Sequence, residues 1–70
     1  MTFEEWFDAE PEELKAHFEK HGQRLVDVGR ALGQSYSTAH QILNGYRPPD
    51  DFQRGLLAAF AVELENMKKL

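Results

Sequence analysis

The sequence predicts an all-α protein, a compact bundle of about five short helices. Apolar residues recur three and four positions apart through most of the 70-residue chain, which is helical spacing. No segment alternates strictly between apolar and polar side chains, as a half-buried strand does. Glycines and prolines separate the periodic stretches, where helices end or begin. A chain of this length has room for one hydrophobic core, so we expect residues 1–70 to form a single domain.

Two acidic helices are predicted in residues 2–21. Thr2 and Glu5 have the spacing of a capping box, which favours a helix over about residues 2–9. Pro11 is tolerated in the first turn of a helix and starts a second one, over about residues 11–21. The side chains expected on the inner faces are Phe3, Trp6, Phe7, Leu14, Phe18 and His21.

The next two helices flank a short turn. The first is predicted from Arg24 to Leu32, and Gly33 ends it. Ser35 is a favourable N-cap for the second, Tyr36 to Asn44. The apolar positions of the pair are Leu25, Val28, Gly29, Leu32, Ala39, Ile42 and Leu43.

The last helix is predicted over about residues 50–69. Pro48 and Pro49 cannot continue the preceding helix, and Asp50 with Gln53 has the spacing of another capping box. One apolar stripe repeats every four residues and is expected to face the core: Phe52, Leu56, Phe60, Leu64 and Met67.

The formal net charge of −4 is unevenly distributed. Residues 1–21 carry seven carboxylates against two lysines, a net charge of −5. Residues 22–49 carry three arginines against one aspartate, a net charge of +2, and residues 50–70 carry −1. Because phosphate contacts use lysine and arginine, the middle of the chain is the segment suited to nucleic acid. The lack of cysteine and of a long apolar run favours a cytoplasmic protein without a membrane span.

The segment from Leu32 to Gly45 is the most informative part of the chain. One helix ends at a glycine, and a short serine-capped turn starts the next. The outer face of that second helix carries amides, hydroxyls, an imidazole and a phenol, and it lacks the Glu and Lys of an ordinary solvated helix. Such side chains are suited to reading base edges in a major groove. An ordinary corner between two helices would have the same periodicity, so periodicity alone does not distinguish such a corner from a DNA-binding helix pair.

At these residues the chain resembles the helix-turn-helix family of phage Cro-type and repressor-type regulators, the lambda-repressor-like or xenobiotic-response-element-like group. The resemblance covers about residues 24–64, with the helix-turn-helix core at about 24–45. Its strongest part is the pattern L-G-x-S-x-x-T-x-x-x-I-L-N-G, followed by Arg47 and two prolines. Gly29 stands where the family more often has alanine, and Gln34 where it usually has an apolar residue.

The resemblance implies a set of DNA contacts, with helix 36–44 in the major groove. The residues expected to face bases are Tyr36, Ser37, His40 and Gln41. Those expected to face the phosphate backbone are Ser35, Thr38, Asn44, Tyr46 and Arg47, with Gln23 and Arg24 as further candidates. The function implied is a sequence-specific transcriptional regulator, a repressor of phage or mobile-element type, that binds a palindromic operator on double-stranded DNA as a homodimer.

Two other functions stay open. The acidic first third could dock on a basic partner, which would make the chain a protein-binding module such as an antitoxin-like or regulatory subunit. It could also contact RNA polymerase, which would make a DNA-bound protein an activator. Glu13, His17 and His21 lie four residues apart, a spacing that can serve zinc, but without a further ligand we expect no metal site or other cofactor. No enzyme motif is present, and no catalytic activity is expected.

The surface of the expected homodimer has two candidates. One is the aromatic group at the N-terminus, formed by Phe3, Trp6 and Phe7. The other is the closing helix, where Leu57, Ala61 and Leu70 supplement the main apolar stripe.

Overall fold

The computed structural model describes residues 1–67, and it confirms the predicted all-α class. The described residues contain no strand and form five helices, namely α1 (Phe3–Asp8), α2 (Pro11–Lys20), α3 (Leu25–Leu32), α4 (Tyr36–Leu43) and α5 (Asp51–Met67). Their number and order are those that the sequence predicts. None of these helices is long and apolar enough to cross a membrane.

Local hydrogen bonds set the helix starts. Thr2 Oγ1 accepts from the Glu5 amide at 3.2 Å, and the Glu5 carboxylate accepts from the Thr2 amide at 2.7 Å. The hydrogen bond from the Thr2 amide to the Glu5 carboxylate is the main reason that the pKa of Glu5 lies below its usual value. Asp50 and Gln53 exchange the same pair of bonds at the start of α5, at 2.8 and 3.0 Å. Both predicted capping boxes are therefore confirmed.

The predicted helix ends differ from the structure by one residue at several points. Arg24 is the N-cap of α3 rather than its first residue, and Asn44 is the C-cap of α4 rather than its last. His21 is likewise the C-cap of α2 rather than its last residue. The predicted continuation of α5 to residue 69 falls partly on residues 68 and 69, which lie outside the described part of the chain.

The core lies where all five helices meet. α1 packs along α5, α3 packs against α4 and α5, and α2 contacts both α4 and α5. The largest fully buried side chains of the core are Phe18, Ile42, Leu57 and Val28. The Phe18 ring also lies 5.2 Å from the ring of Phe60, which joins α2 to α5.

The predicted inner stripe of α5 is wrong at both ends. Phe52 is 74% exposed and Met67 is 57% exposed. A strict four-residue repeat turns by about 40° per step around a helix with 3.6 residues per turn, so it cannot stay on one side. The inner face instead contains Gln53, Leu57, Ala58, Ala61 and Leu64.

Trp6 attaches α1 to α5. Its indole is 6% exposed, and its Nε1–H donates to the Glu65 carboxylate. This hydrogen bond is the main reason that the pKa of Glu65 lies below its usual range, and the Met1 amino group, 3.0 Å away, adds to the effect. Of the three N-terminal aromatic residues, Trp6 is in the core, Phe7 is half-buried and Phe3 is exposed.

Two histidines of α2 pack beside Trp6. The His17 ring lies 4.3 Å from the Trp6 ring and 4.5 Å from the His21 ring, between centroids. His17 Nε2 is 3.0 Å from the Ala61 carbonyl oxygen, and His21 Nδ1 is 3.0 Å from the His17 carbonyl oxygen. His21 was expected to face inward and is half-buried. Glu13 is exposed, and within residues 1–67 no three potential ligands are grouped closely enough to hold a metal ion.

Candidate nucleic-acid interface

A tight turn sets the angle between α3 and α4. Gly33 adopts a left-handed conformation with φ of 67° and ends α3, and the Gln34 amide donates to the Gly29 carbonyl at 2.9 Å. A Cβ atom at Gly29 would lie 3.1 Å from the Ser35 carbonyl oxygen. The absence of a side chain at Gly29 therefore lets the turn pass directly over α3.

Ser35 caps α4 as the sequence predicts. Its Oγ accepts from the Thr38 amide at 3.4 Å, and the Thr38 hydroxyl lies 3.4 Å from the same oxygen. Both hydroxyls are thus engaged at the helix start, although Ser35 remains exposed. Its exposure leaves the N-terminal turn of α4 open to a ligand.

The helix α4 has one buried side and one open side. Ala39, Ile42 and Leu43 are buried against the core. The four predicted base-contacting residues lie on the other side, where Tyr36, Ser37 and Gln41 are exposed and His40 is half-buried. The structure therefore places these four side chains on one accessible surface, which we call the α4 outer face.

An aromatic row runs along the α4 outer face. The Tyr36 and His40 rings are 6.2 Å apart with an interplanar angle of 29°, and the His40 and Tyr46 rings are 6.0 Å apart at 26°. Tyr46 reaches this position because its amide donates to the Gln41 carbonyl at 2.9 Å, after a left-handed turn at Gly45 with φ of 79°. The family resemblance implies that Tyr46 faces the phosphate backbone. It does not predict the aromatic row, because the position of Tyr46 in that row depends on the turn at Gly45.

The predicted backbone-contacting residues divide into two groups. Arg47 is exposed, and the Arg24 side chain is 78% exposed beside Asp27, with 3.5 Å between Arg24 Nε and Asp27 Oδ2. The side-chain amide of Gln23, by contrast, donates to the His21 carbonyl at 3.2 Å. The side-chain amide of Asn44 likewise donates to the His40 carbonyl at 2.9 Å.

Lys15 is a cation near this surface that the sequence does not predict as a DNA contact. Its Nζ donates to the Asn44 Oδ1 at 2.7 Å, so a basic group from α2 stands at the C-terminal end of α4. Lys15, Arg24, His40 and Asn44 also share the rim of a groove of about 430 Å³ between α2, α3 and α4. Only the packing of α2 on α4 brings this lysine there, since it lies 29 residues from Asn44 in sequence.

Asp27 is the acidic residue in the first turn of α3. Its carboxylate accepts from the Arg24 amide at 2.9 Å, and this bond together with the Arg24 side chain lowers the pKa of Asp27. Asp27 thus acts as part of the α3 cap.

No family model, curated protein or solved structure matches this chain.

Proposed function

We propose that this protein is a sequence-specific double-stranded DNA-binding regulator in which α3, the turn and α4 act as a helix-turn-helix. The observation that carries the proposal is the α4 outer face, an exposed helix surface that holds hydroxyl, amide, imidazole and phenol groups but no charged side chain. An α-helix of this kind fits the major groove of B-DNA, where base edges offer donors, acceptors and methyl groups. The regulator is proposed to be a cytoplasmic repressor of phage or mobile-element type.

Cations beside the α4 outer face would supply the contacts to phosphate. Arg24 and Arg47 are exposed, and Lys15 stands beside Asn44. Their number is small, so the counterion-release contribution to affinity would be modest. Specific affinity would then depend on hydrogen bonds to bases and on pairing of two subunits.

The exposed side of α5 supports the proposed homodimer. Phe52 and Met67 are exposed there, and Leu56 and Phe60 are only partly covered. Trp6, in contrast, is buried within the monomer, so only Phe3 and part of Phe7 remain accessible in the N-terminal aromatic group. We therefore assign the dimer contact to α5, because association would remove its apolar side chains from water.

Selection from a random duplex pool tests the DNA-binding function. We expect the purified protein to enrich one sequence family and to bind it with an affinity that falls as salt rises. Gln41→Ala is expected to weaken this binding, whereas Phe3→Ala, which removes an exposed ring from α1, is expected to leave it unchanged. Failure to enrich any duplex, at low salt as well as high, would refute the proposal.

A protein-binding module is the second candidate, and one observation favours it. The seven carboxylates of residues 1–21 are all exposed: Glu4, Glu5, Asp8, Glu10, Glu12, Glu13 and Glu19. An acidic surface of this kind could pair with a basic protein, including a toxin-like partner or RNA polymerase. Co-purification of a stoichiometric partner, lost when these carboxylates are replaced by amides, together with no selection of DNA, would favour this candidate.

A further inference from the structure

The aromatic row on the α4 outer face indicates which bases this protein would read. We infer that the α4 outer face recognises A·T base pairs, through thymine C5-methyl groups against the Tyr36 and His40 rings and through adenine at Gln41. The inference rests on the proposed DNA-binding function and specifies its target. It follows from the ring geometry and from the side chains that α4 carries.

The rings offer an apolar surface at a spacing that matches a duplex. The Tyr36 and His40 centroids are 6.2 Å apart, close to the ~6.8 Å that two base-pair steps rise along the duplex axis. The C5-methyl group of thymine is the apolar group that the major groove presents, and aromatic side chains can contact it. Two thymines two base pairs apart would therefore each meet one ring.

Tyr46 gives the His40 ring its fixed position. The Tyr46 ring centroid lies 6.0 Å from that of the imidazole, and the Tyr36 centroid lies 6.2 Å from it. A side chain flanked by two other rings loses little further rotamer freedom on binding, which favours affinity. Tyr46 is thus a positioning residue for His40.

The polar groups of α4 favour adenine over guanine and cytosine. Guanine is most often read by Arg or Lys, and cytosine by Glu or Asp, and α4 contains none of these four residue types. Gln41 is exposed and can form a bidentate pair with adenine N6 and N7. A helix with aromatic rings and one glutamine on its open side is therefore matched to A·T pairs.

Replacement of thymidine by deoxyuridine tests the inference, because it removes the methyl group alone. The probe is the duplex selected from the random pool, measured by fluorescence anisotropy with single dT-to-dU substitutions in each half-site. We expect an A·T-rich centre in each half-site, and a loss of about threefold to fivefold in affinity at two positions two base pairs apart, the effect of one buried methyl group.

Variants assign each methyl contact to a ring. Tyr36→Ala is expected to bind the dT and dU forms equally at one position, and Tyr36→Phe is expected to keep the difference because the ring remains. Tyr46→Ala is expected to reduce the difference at the other position only. Phe3→Ala, which removes an exposed ring from α1, serves as the control and is expected to keep both differences.

The outcomes separate the two proposals. A selected duplex with a G·C-rich centre would overturn the inference and leave DNA binding intact. So would a selected duplex that the protein binds equally well with thymidine or with deoxyuridine. Preferential binding of a single-stranded oligonucleotide of the same sequence would also overturn it, since the rings would then be stacking on unpaired bases. Absence of any selected duplex would refute the DNA-binding function itself, and the inference with it.

Discussion

Gly29 packs closely against the carbonyl oxygen of Ser35. A Cβ atom on Gly29 would lie 3.1 Å from that oxygen. The Gln34 carbonyl oxygen lies 3.2 Å from the same position, so two backbone groups of the turn cover it. The contact fixes how α4 leaves α3, and the α4 outer face depends on that geometry. A side chain at Gly29 is therefore expected to disturb the turn before it disturbs the rest of the core.

The first prediction compares the two glycines that lie within helices. Gly29→Val should lower the free energy of unfolding by about 1–3 kcal/mol, because the added carbons overpack against turn backbone. Gly55→Val is the matched control, since a Cβ at Gly55 meets nothing within 4 Å. It should lower the free energy of unfolding by less than Gly29→Val does, because its Cβ has open space and glycine is a poor helix former. Urea unfolding followed by Trp6 fluorescence measures both, and equal effects would contradict the geometry.

The second prediction distinguishes the inner face of α5 from the predicted stripe. Leu57 is 1% exposed, so Leu57→Ala should lower the free energy of unfolding by about 2–5 kcal/mol. Phe52 is exposed, so Phe52→Ala should change it by no more than about 0.5 kcal/mol in dilute solution. The reverse order in urea unfolding would show that the four-residue stripe faces the core after all.

The third prediction concerns the proposed dimer. Phe52→Glu places a charge on the exposed side of α5 and should shift the protein from dimer to monomer in sedimentation equilibrium. Phe3→Glu makes the same change on α1 and should leave the oligomeric state unchanged. Loss of the dimer in the Phe3 variant alone would move the interface to the N-terminal aromatic group.

The fourth prediction is a pH dependence that arises from His17. Desolvation is the largest cause that holds the pKa of His17 below its ordinary value of 6.5, and the nearby His21 and Lys20 act in the same direction. The hydrogen bond to Ala61 and the charge of Glu65 oppose the shift only in part. The unfolded chain therefore takes up a proton at a higher pH than the folded protein does.

The sign of the effect follows from that difference. The contribution of His17 to stability is complete above pH 6.5 and is lost as the pH falls through 6.5 toward the lower folded-state pKa. Urea unfolding between about pH 8 and 5.5 should show the free energy of unfolding decreasing with acidity. His17→Gln should reduce this slope, and an unchanged slope in that variant would assign the pH dependence to another group.

The fifth prediction separates base reading from phosphate contact. Gln41→Ala should cost about 1–3 kcal/mol on the selected duplex and relax preference at one base pair. Arg47→Ala should weaken binding to all duplexes alike and lower the salt slope by about 1. Gel-shift titrations with the selected and a scrambled duplex test the pair, and the assignment of roles fails if the two variants behave identically.

The amino-acid sequence alone determined the helices, because the interactions that start and end them are local. The Thr2–Glu5 and Asp50–Gln53 capping boxes each join residues three positions apart, and Gly33 ends α3 through its own backbone conformation. The buried side of α4 was also predictable, since Ala39, Ile42 and Leu43 follow helical spacing over a short segment.

Tertiary packing decided what the sequence could not, because it brings together residues that are far apart in the chain. It selected Leu57 and Ala58 over Phe52 and Met67 on α5, since α1, α2 and α3 cover only one side of that helix. It also joined Lys15 to Asn44 across 29 residues. The position of Tyr46 beside His40 depends on the path of the chain after α4. Periodicity identifies a helix, but the neighbours of that helix determine which side is buried and which remains available for binding.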